Sequence, residues 1–292
     1  MPPEQSTNTF TPELRQNPQA SARKVLPSAL WTVKNVMRPS LIIAHRGSSI
    51  DAPENTLRAF RKALAVGVDA IELDVHTTRD GVPVVFHDTD TRRLTGFAGR
   101  ISKLSWAKVR QLRVRKHEPI PRLVEVLRTV TPQARVQIEL KRGVNVWKVV
   151  TAIRAARAVR RVIIGSFEML LLAKAQALAP KIPRMVITEG RSSTTALLRQ
   201  LLLCRAIGLS VNHRSIPSRN WVAGFQSHGF AVWTWTVNRP TAMRRLARTG
   251  VDGILSDNPA LLRSEIRVFS SCFPYVRGRT NRDDNPARFP LR

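Results

Sequence analysis

"LIIAHRGSSIDAPENT", residues 41–56, is the stretch on which the reading of this chain turns. Three apolar residues and an alanine run into His45-Arg46-Gly47, and Pro-Glu-Asn-Thr follows within a few residues. A short apolar run closed by a glycine reads as a buried strand. A histidine at its end could serve the core; a cation beside it needs another reason.

Similar apolar runs recur along the chain, at 70–75, 135–140, 161–167, 184–188, 208–212, 231–237 and 252–256. Several are apolar on both faces, as parallel strands covered by helices are. Amphipathic segments separate them, at 54–66, 123–130, 146–159, 168–178, 194–206, 219–228, 240–248 and 258–266. Gly67, Pro132, Pro180, Gly229 and Gly250 follow several of these as helix stops. Eight strands alternating with eight helices predict an α/β chain closed as a (β/α)8 TIM barrel. An open doubly wound sheet is disfavoured, because ionisable residues recur at the C-terminal ends of several strands, where a barrel gathers them in one mouth. The alternation breaks once, between the second strand and the second helix. There "VPVVFHD" (82–88) reads as an extra strand, and a helix starts near Ser105 within a small insertion of about 82–120.

Composition sets the frame. The chain has 292 residues, 43% of them apolar, enough for a sizeable core in one barrel domain over 40–267. Residues 1–39 read as a loosely ordered leader without the apolar core of a secretory signal, and 268–292 as a polar, loose tail. No apolar run approaches the ~18–20 residues of a membrane span; "LLRQLLLCRAIGL" (197–209) carries Arg199 and Arg205. Two cysteines, Cys204 and Cys272, make no disulfide framework, and a cytoplasmic location is expected. The net charge is +28, from 38 Arg and 10 Lys against 20 acids. These cations are spread along the chain and do not interleave with aromatics, which argues against a nucleic-acid partner. They are compatible with weak association with an anionic membrane surface or with a phosphorylated substrate. The oligomeric state is not legible.

Chemistry gathers at the strand ends. In "IELDV" Glu72 and Asp74 are two apart and share one face of a strand; in "IELK" so do Glu139 and Lys141. Two buried carboxylates that close repel, and a divalent cation removes the conflict. Hard oxygen ligands suit Mg²⁺ or Ca²⁺ better than zinc. His45 and His87, each at a strand end, can act as base and acid, and Arg46 and Lys141 can receive developing negative charge. Without a phosphate-binding glycine loop, hydrolysis of a phosphodiester is more natural than phosphoryl transfer from a nucleotide.

At this point the chain resembles the glycerophosphodiester phosphodiesterases, metal-dependent barrel enzymes. The likeness rests on "AHRG", "APENT", "IELDV" and "VFHD" in that order and spacing. It continues through "IPRLVEVL" (120–127), "IELK", "GSF" (165–167), "VWTWTVN" (232–238) and "GVDGILSDNP" (250–259). The resemblance implies His45 and His87 as the acid/base pair, Glu72, Asp74 and Glu139 as metal ligands, and Arg46 and Lys141 on the phosphate. It further implies Glu54 as an acidic residue at the rim and Trp235 in the glycerol pocket. In the mechanism it implies, the glycerol 2-hydroxyl attacks phosphorus, the alcohol leaves, and water opens the cyclic phosphate. Ser48 and His76 depart mildly from the family's usual residues, His76 being read as a supporting or surface residue. The expected substrate is a small glycerophosphodiester, cut to sn-glycerol 3-phosphate and an alcohol. Two alternatives stay open. One is a lysophospholipase D, with Phe97, Trp106 and Trp221 forming part of an acyl groove; the other is a catalytically silent barrel that binds a phosphorylated ligand.

Overall fold

The computed structural model describes residues 39–130 and 132–272. In chain order the elements are β1 (Leu41–His45), α1 (Leu57–Val66), β2 (Ala70–Thr77), β3 (Pro83–Val85), α2 (Arg92–Thr95), α3 (Trp106–Val109), β4 (Arg113–Val114), β5 (Glu118–Pro119), α4 (Leu123–Val130) and β6 (Arg135–Leu140). There follow α5 (Val146–Ala155), β7 (Val162–Ser166), α6 (Met169–Leu178), β8 (Arg184–Thr188), α7 (Thr194–Leu203), β9 (Gly208–Asn212), α8 (Arg219–Ser227), β10 (Ala231–Trp235), α9 (Pro240–Thr249), β11 (Gly253–Ser256) and α10 (Pro259–Cys272). β1 pairs in parallel with both β2 and β11, which closes β1, β2, β6, β7, β8, β9, β10 and β11 into an eight-stranded parallel barrel. The predicted TIM barrel is the fold observed.

The barrel has two cores because parallel strands bury both faces. Inside, Ile43, Ala70, Ile163, Met185, Ala231, Trp233 and Leu255 pack together and plug the lower barrel. Outside, the opposite faces of the strands meet the helices: Ile71, Leu73, Val136, Ile138, Ile164 and Val232 pack on Phe60, Leu127, Val149, Leu172, Phe225 and Leu246. Every residue of β2 is buried, so the charged side chains it carries are enclosed by the fold. Parallel register then sets their height. His45 stands level with Glu72, and Asp74 level with Glu139.

The insertion forms a small unit with its own apolar centre of Val84, Phe86, Leu94, Ile101, Val109, Leu112, Val114 and Ile120. It begins with β3, antiparallel to β2, and ends with the β4–β5 hairpin. The first helix starts later than the pattern suggests. "PENT" is a turn, not a helical opening: Asn55 is left-handed (φ 59°), and the Thr56 hydroxyl caps α1 by accepting from the amide of Ala59. At the other end α10 continues through Cys272, past the expected stop at 266. The expected leader and most of the expected tail lie outside the described residues.

The turn after β1 is set by two consecutive left-handed residues, Arg46 (φ 56°) and Gly47 (φ 86°). A side chain at 47 would place its Cβ 2.7 Å from the backbone carbon of Ala59 in α1. This close approach also lets the amide of Ser48 donate to the carbonyl of Ala59 at 3.0 Å. Gly47→Ala is therefore expected to destabilise the chain by about 2–4 kcal/mol through backbone strain and overpacking. Urea unfolding at constant m-value is the check; a change below about 0.5 kcal/mol, the range of an unremarkable surface substitution, would contradict the reading.

Candidate active site

β1, β2 and β6 deliver the charged set. Each of Glu72, Asp74 and Glu139 offers a carboxylate oxygen, and the three oxygens lie within 4.8 Å of one another. Burial, then the repulsion of Asp74 and Glu139, holds the Glu72 carboxyl well above the usual range. Burial and the charge of Asp74 likewise push Glu139 up to about 7. Asp74 behaves oppositely: burial works to raise it, but Lys141 and Arg46 outweigh burial and lower it. Lys141 Nζ sits 2.8 Å from Asp74 and also donates to Glu139, while Arg46 Nε lies 3.2 Å from Asp74. Asn55 completes the cradle, donating Nδ2–H to Asp74 at 2.8 Å and accepting from the Asp74 amide.

The two histidines are held alike. His45 Nδ1 meets Asp257 at 2.7 Å, and His87 Nδ1 meets Asp88 at 2.7 Å. A carboxylate can only accept, so each ring carries its proton on Nδ1 when neutral and leaves Nε2 free to take one. His45 Nε2 lies 4.0 Å from Glu72. Both histidines line the same cavity. Burial, and next the opposing fields of Asp74 and of Arg46 with Lys141, leaves the His87 ring below its ordinary value, so it is neutral at pH 7. The loop that follows β3 is held from behind, since buried His76 donates Nε2–H to the carbonyl of His87 at 3.0 Å.

A chain of ion pairs joins the barrel to the insertion. Arg93 of α2 binds both Asp88, at 2.5 Å, and Glu54, at 2.8 Å. Glu54 in turn accepts from Arg46 Nη1 at 2.8 Å. Glu54 thus stands apart from the three-carboxylate cluster and orients Arg46. The cavity itself encloses about 230 Å³ among His45, Arg46, Glu72, His87, Glu139 and Lys141 on one side and Phe167, Ile187, Trp235 and Leu255 on the other. Trp235 stacks edge-to-face on Phe167, with centroids 5.8 Å apart, and its indole donates to the Ser210 carbonyl.

Eight of the nine residues singled out in the sequence therefore meet at one barrel mouth, and Glu54 supports them. Asp257, Asp88, Arg93, Asn55 and Phe167 were not singled out. Four of them sat in motifs already quoted, "SDNP", "HD", "APENT" and "GSF", whose partners only the fold supplies. The aromatic groove offered for an acyl chain does not form. Phe97 and Trp106 pack into the insertion's own centre, and Trp221 packs on the outer core beside Phe225. Trp221 is thus in a different cluster from Phe97 and Trp106, because it covers a different apolar patch.

The comparisons with known proteins agree with this geometry. Residues 45–261 match the model of the glycerophosphoryl diester phosphodiesterase family. A glycerophosphodiester phosphodiesterase from Caldanaerobacter subterraneus is 32% identical over 241 residues, covering 78% of this chain and 98% of its own length. Among solved structures, an Oleispira antarctica phosphodiesterase in complex with the product sn-glycerol-3-phosphate superposes with a TM-score of 0.71 at 28% identity, covering 78% of this chain and 97% of its own. A glycerophosphodiester phosphodiesterase from Agrobacterium tumefaciens gives 0.70 at 27%, covering 77% and 99%. A phosphodiesterase barrel is thus the class that fold and relatives define. The chain belongs to the glycerophosphoryl diester phosphodiesterase family.

Asp257 offers a test of the geometry. Burial tends to raise its carboxyl, but hydrogen bonds from His45, Asn238 and Ser49 prevail and lower it to about 2. A depressed carboxylate stabilises the fold above its unfolded value of about 3.9, and that contribution is lost as pH falls through the folded value. Asp257→Asn is expected to cost about 1–2 kcal/mol at pH 7, allowing for partial solvent screening. The gap to wild type should close between about pH 4 and pH 2, measured by denaturant unfolding across pH. A gap independent of pH would contradict the assignment.

Proposed function

We propose that this enzyme hydrolyses glycerophosphodiesters to sn-glycerol 3-phosphate and an alcohol, by acid/base catalysis at His45 and His87 with a divalent cation. The observation that carries the reading is the pairing of two histidines, each with a carboxylate on Nδ1, at a cavity that also holds three clustered carboxylates and two cations. The relatives named glycerophosphodiester phosphodiesterase, and the Oleispira protein holding sn-glycerol-3-phosphate, support the same substrate.

The donor set fits a hard cation. Three buried carboxylate oxygens within 4.8 Å, two of them on groups whose ionisation burial and repulsion resist, match Mg²⁺ or Ca²⁺. When bound, such an ion supplies Lewis-acid stabilisation of charge developing on the phosphoryl oxygens. The protein's own groups do the rest. Arg46 and Lys141 face the phosphate. The free Nε2 of one histidine takes the proton of the glycerol 2-hydroxyl as its oxygen attacks phosphorus. The other histidine, entering the step as an imidazolium with a proton on Nε2, gives that proton to the alcohol oxygen as the P–O bond breaks. Water then opens the cyclic phosphate with the two roles exchanged.

A small polar substrate is favoured over a lysolipid by the cavity floor. Gln137 and Ser210 are buried there, and Gln137 Oε1 and Ser210 Oγ have no hydrogen-bond partner among the described residues. Such atoms reward a hydroxyl and penalise an acyl chain. No helix among the described residues is long and apolar enough to cross a membrane.

Release of glycerol 3-phosphate from glycerophosphocholine should stop on chelation and return with Mg²⁺ or Ca²⁺. His45→Ala and His87→Ala should each lower kcat by about 10²–10⁴. Activity that survives either treatment would sink the mechanism. Gln137→Leu should raise KM about tenfold with kcat little changed, reflecting one lost hydrogen bond to a bound hydroxyl. Lysophosphatidylcholine turned over as fast as glycerophosphocholine would move the assignment to a lysophospholipase D.

A further inference from the structure

A second cavity, of about 520 Å³, opens directly beside the first. Thr236 lines both, so a molecule seated at phosphorus can extend from one into the other. Its walls come from the turn after β9, the turn after β10 and the start of α9, and they carry His213, Arg214, Asn238, Arg239, Thr241 and Arg245. No carboxylate lines it. Asn238 is committed elsewhere, donating to Asp257 at 2.6 Å, which ties this wall to the residue that holds His45. His213 donates Nδ1–H to the carbonyl of Trp235 at 3.3 Å, which ties it to the aromatic wall.

The charge of this cavity is uncompensated, unlike the rest of the rim. Around the mouth, Arg46 pairs with Glu54 and Asp74, Arg93 with Glu54 and Asp88, Lys141 with Asp74 and Glu139, and Arg142 with Glu168. Among the described residues, the guanidinium groups of Arg214 and Arg239 face no carboxylate within ion-pair distance, and Arg245 donates only to the His213 carbonyl, at 3.2 Å. Burial, and after it the backbone bond to Trp235 opposed by the fields of Arg214 and Arg245, leaves His213 below its ordinary value. That imidazole is neutral at pH 7 and available as a further hydrogen-bonding wall. Like charges gathered in a concave site, beside a reaction that expels an alcohol, raise the local concentration of an anion.

We propose that this cavity receives the alcohol half of the substrate, and that Arg214 and Arg239 select head groups that carry a further phosphate or carboxylate. The inference rests on the phosphodiesterase reading and refines it to a substrate class: anionic glycerophosphodiesters are preferred over those with a cationic head such as choline. A guanidinium presents a planar fork of N–H donors that matches either anion bidentately. A quaternary ammonium finds there only repulsion, because no aromatic face lines the cavity to receive it.

The test compares kcat/KM for glycerophosphoinositol 4-phosphate and glycerophosphocholine in the Mg²⁺-loaded full chain and in the Arg214→Gln, Arg239→Gln double variant. Wild type should favour the anionic substrate, and the double variant should lose about tenfold on it with glycerophosphocholine unchanged or improved. Arg239→Lys should recover part of the loss, since charge is kept while the fork is lost. Both side chains are exposed, and an unchanged melting temperature will show that the fold is intact. A preference that is absent in wild type, or that the double variant leaves standing, overturns the proposal. So does a double variant that loses only inhibition by inorganic phosphate, or only sedimentation with phosphatidylglycerol vesicles, since the cavity would then serve a free anion or a membrane. Failure of wild type to turn over either substrate would instead overturn the phosphodiesterase reading, and this assignment with it.

Discussion

Three carboxylates held within 4.8 Å of one another at the mouth of a closed barrel set the terms for everything around them. Buried like charges are costly, and each must be matched by an opposite charge or surrender its ionisation. Asp74 is matched by Lys141 and Arg46 and stays ionised. Glu72 and Glu139 are matched incompletely, and burial raises both. That imbalance is an expensive arrangement for stability alone, and it is the arrangement a hard divalent cation relieves.

The surrounding structure reads as support for this cluster. The left-handed turn at Arg46 and Gly47 is what brings the Arg46 amide to Glu72 at 3.1 Å and its guanidinium to Asp74. Arg46 is then fixed by Glu54, Glu54 by Arg93, and Arg93 by Asp88, which also orients His87. A single run of charge-assisted bonds thus passes from the metal-ligand candidates through the insertion to the second histidine. The insertion has a purpose in this view: its independent apolar centre holds Arg93 and His87 in place across from the barrel. On the opposite side β11 does the same for His45 through Asp257.

Much of this was legible in the sequence because strand geometry is local. Residues two apart in "IELDV" and "IELK" must share a face, and parallel strands joined by helices must present their C-terminal ends together. His87 comes after an inserted strand antiparallel to β2 and is reached through the "VFHD" motif, whereas Glu72, Asp74, Glu139 and His45 follow from those two rules. Asp257 does not, since its partner lies 212 residues away and only closure of β1 on β11 joins them. Arg93 was hidden among 38 arginines, and nothing local separates it from a solvated one. "PENT" misled in a small way: its Pro and Glu resemble a helix opening, but Asn55 is held left-handed by its bond to Asp74, and α1 begins two residues later. Phe97, Trp106 and Trp221 show the same limit, because an aromatic residue in sequence does not say which apolar patch it will cover.

The central claim is that Glu72, Asp74 and Glu139 form one site for a hard divalent cation, and calorimetric titration of the metal-stripped chain with Mg²⁺ and Ca²⁺ tests it most directly. The account predicts one cation per chain, with proton release on binding because burial and repulsion hold both Glu72 and Glu139 above the usual carboxyl range, and binding abolished in Glu72→Gln. No binding by the native chain, or binding of equal strength in the variant, would contradict it.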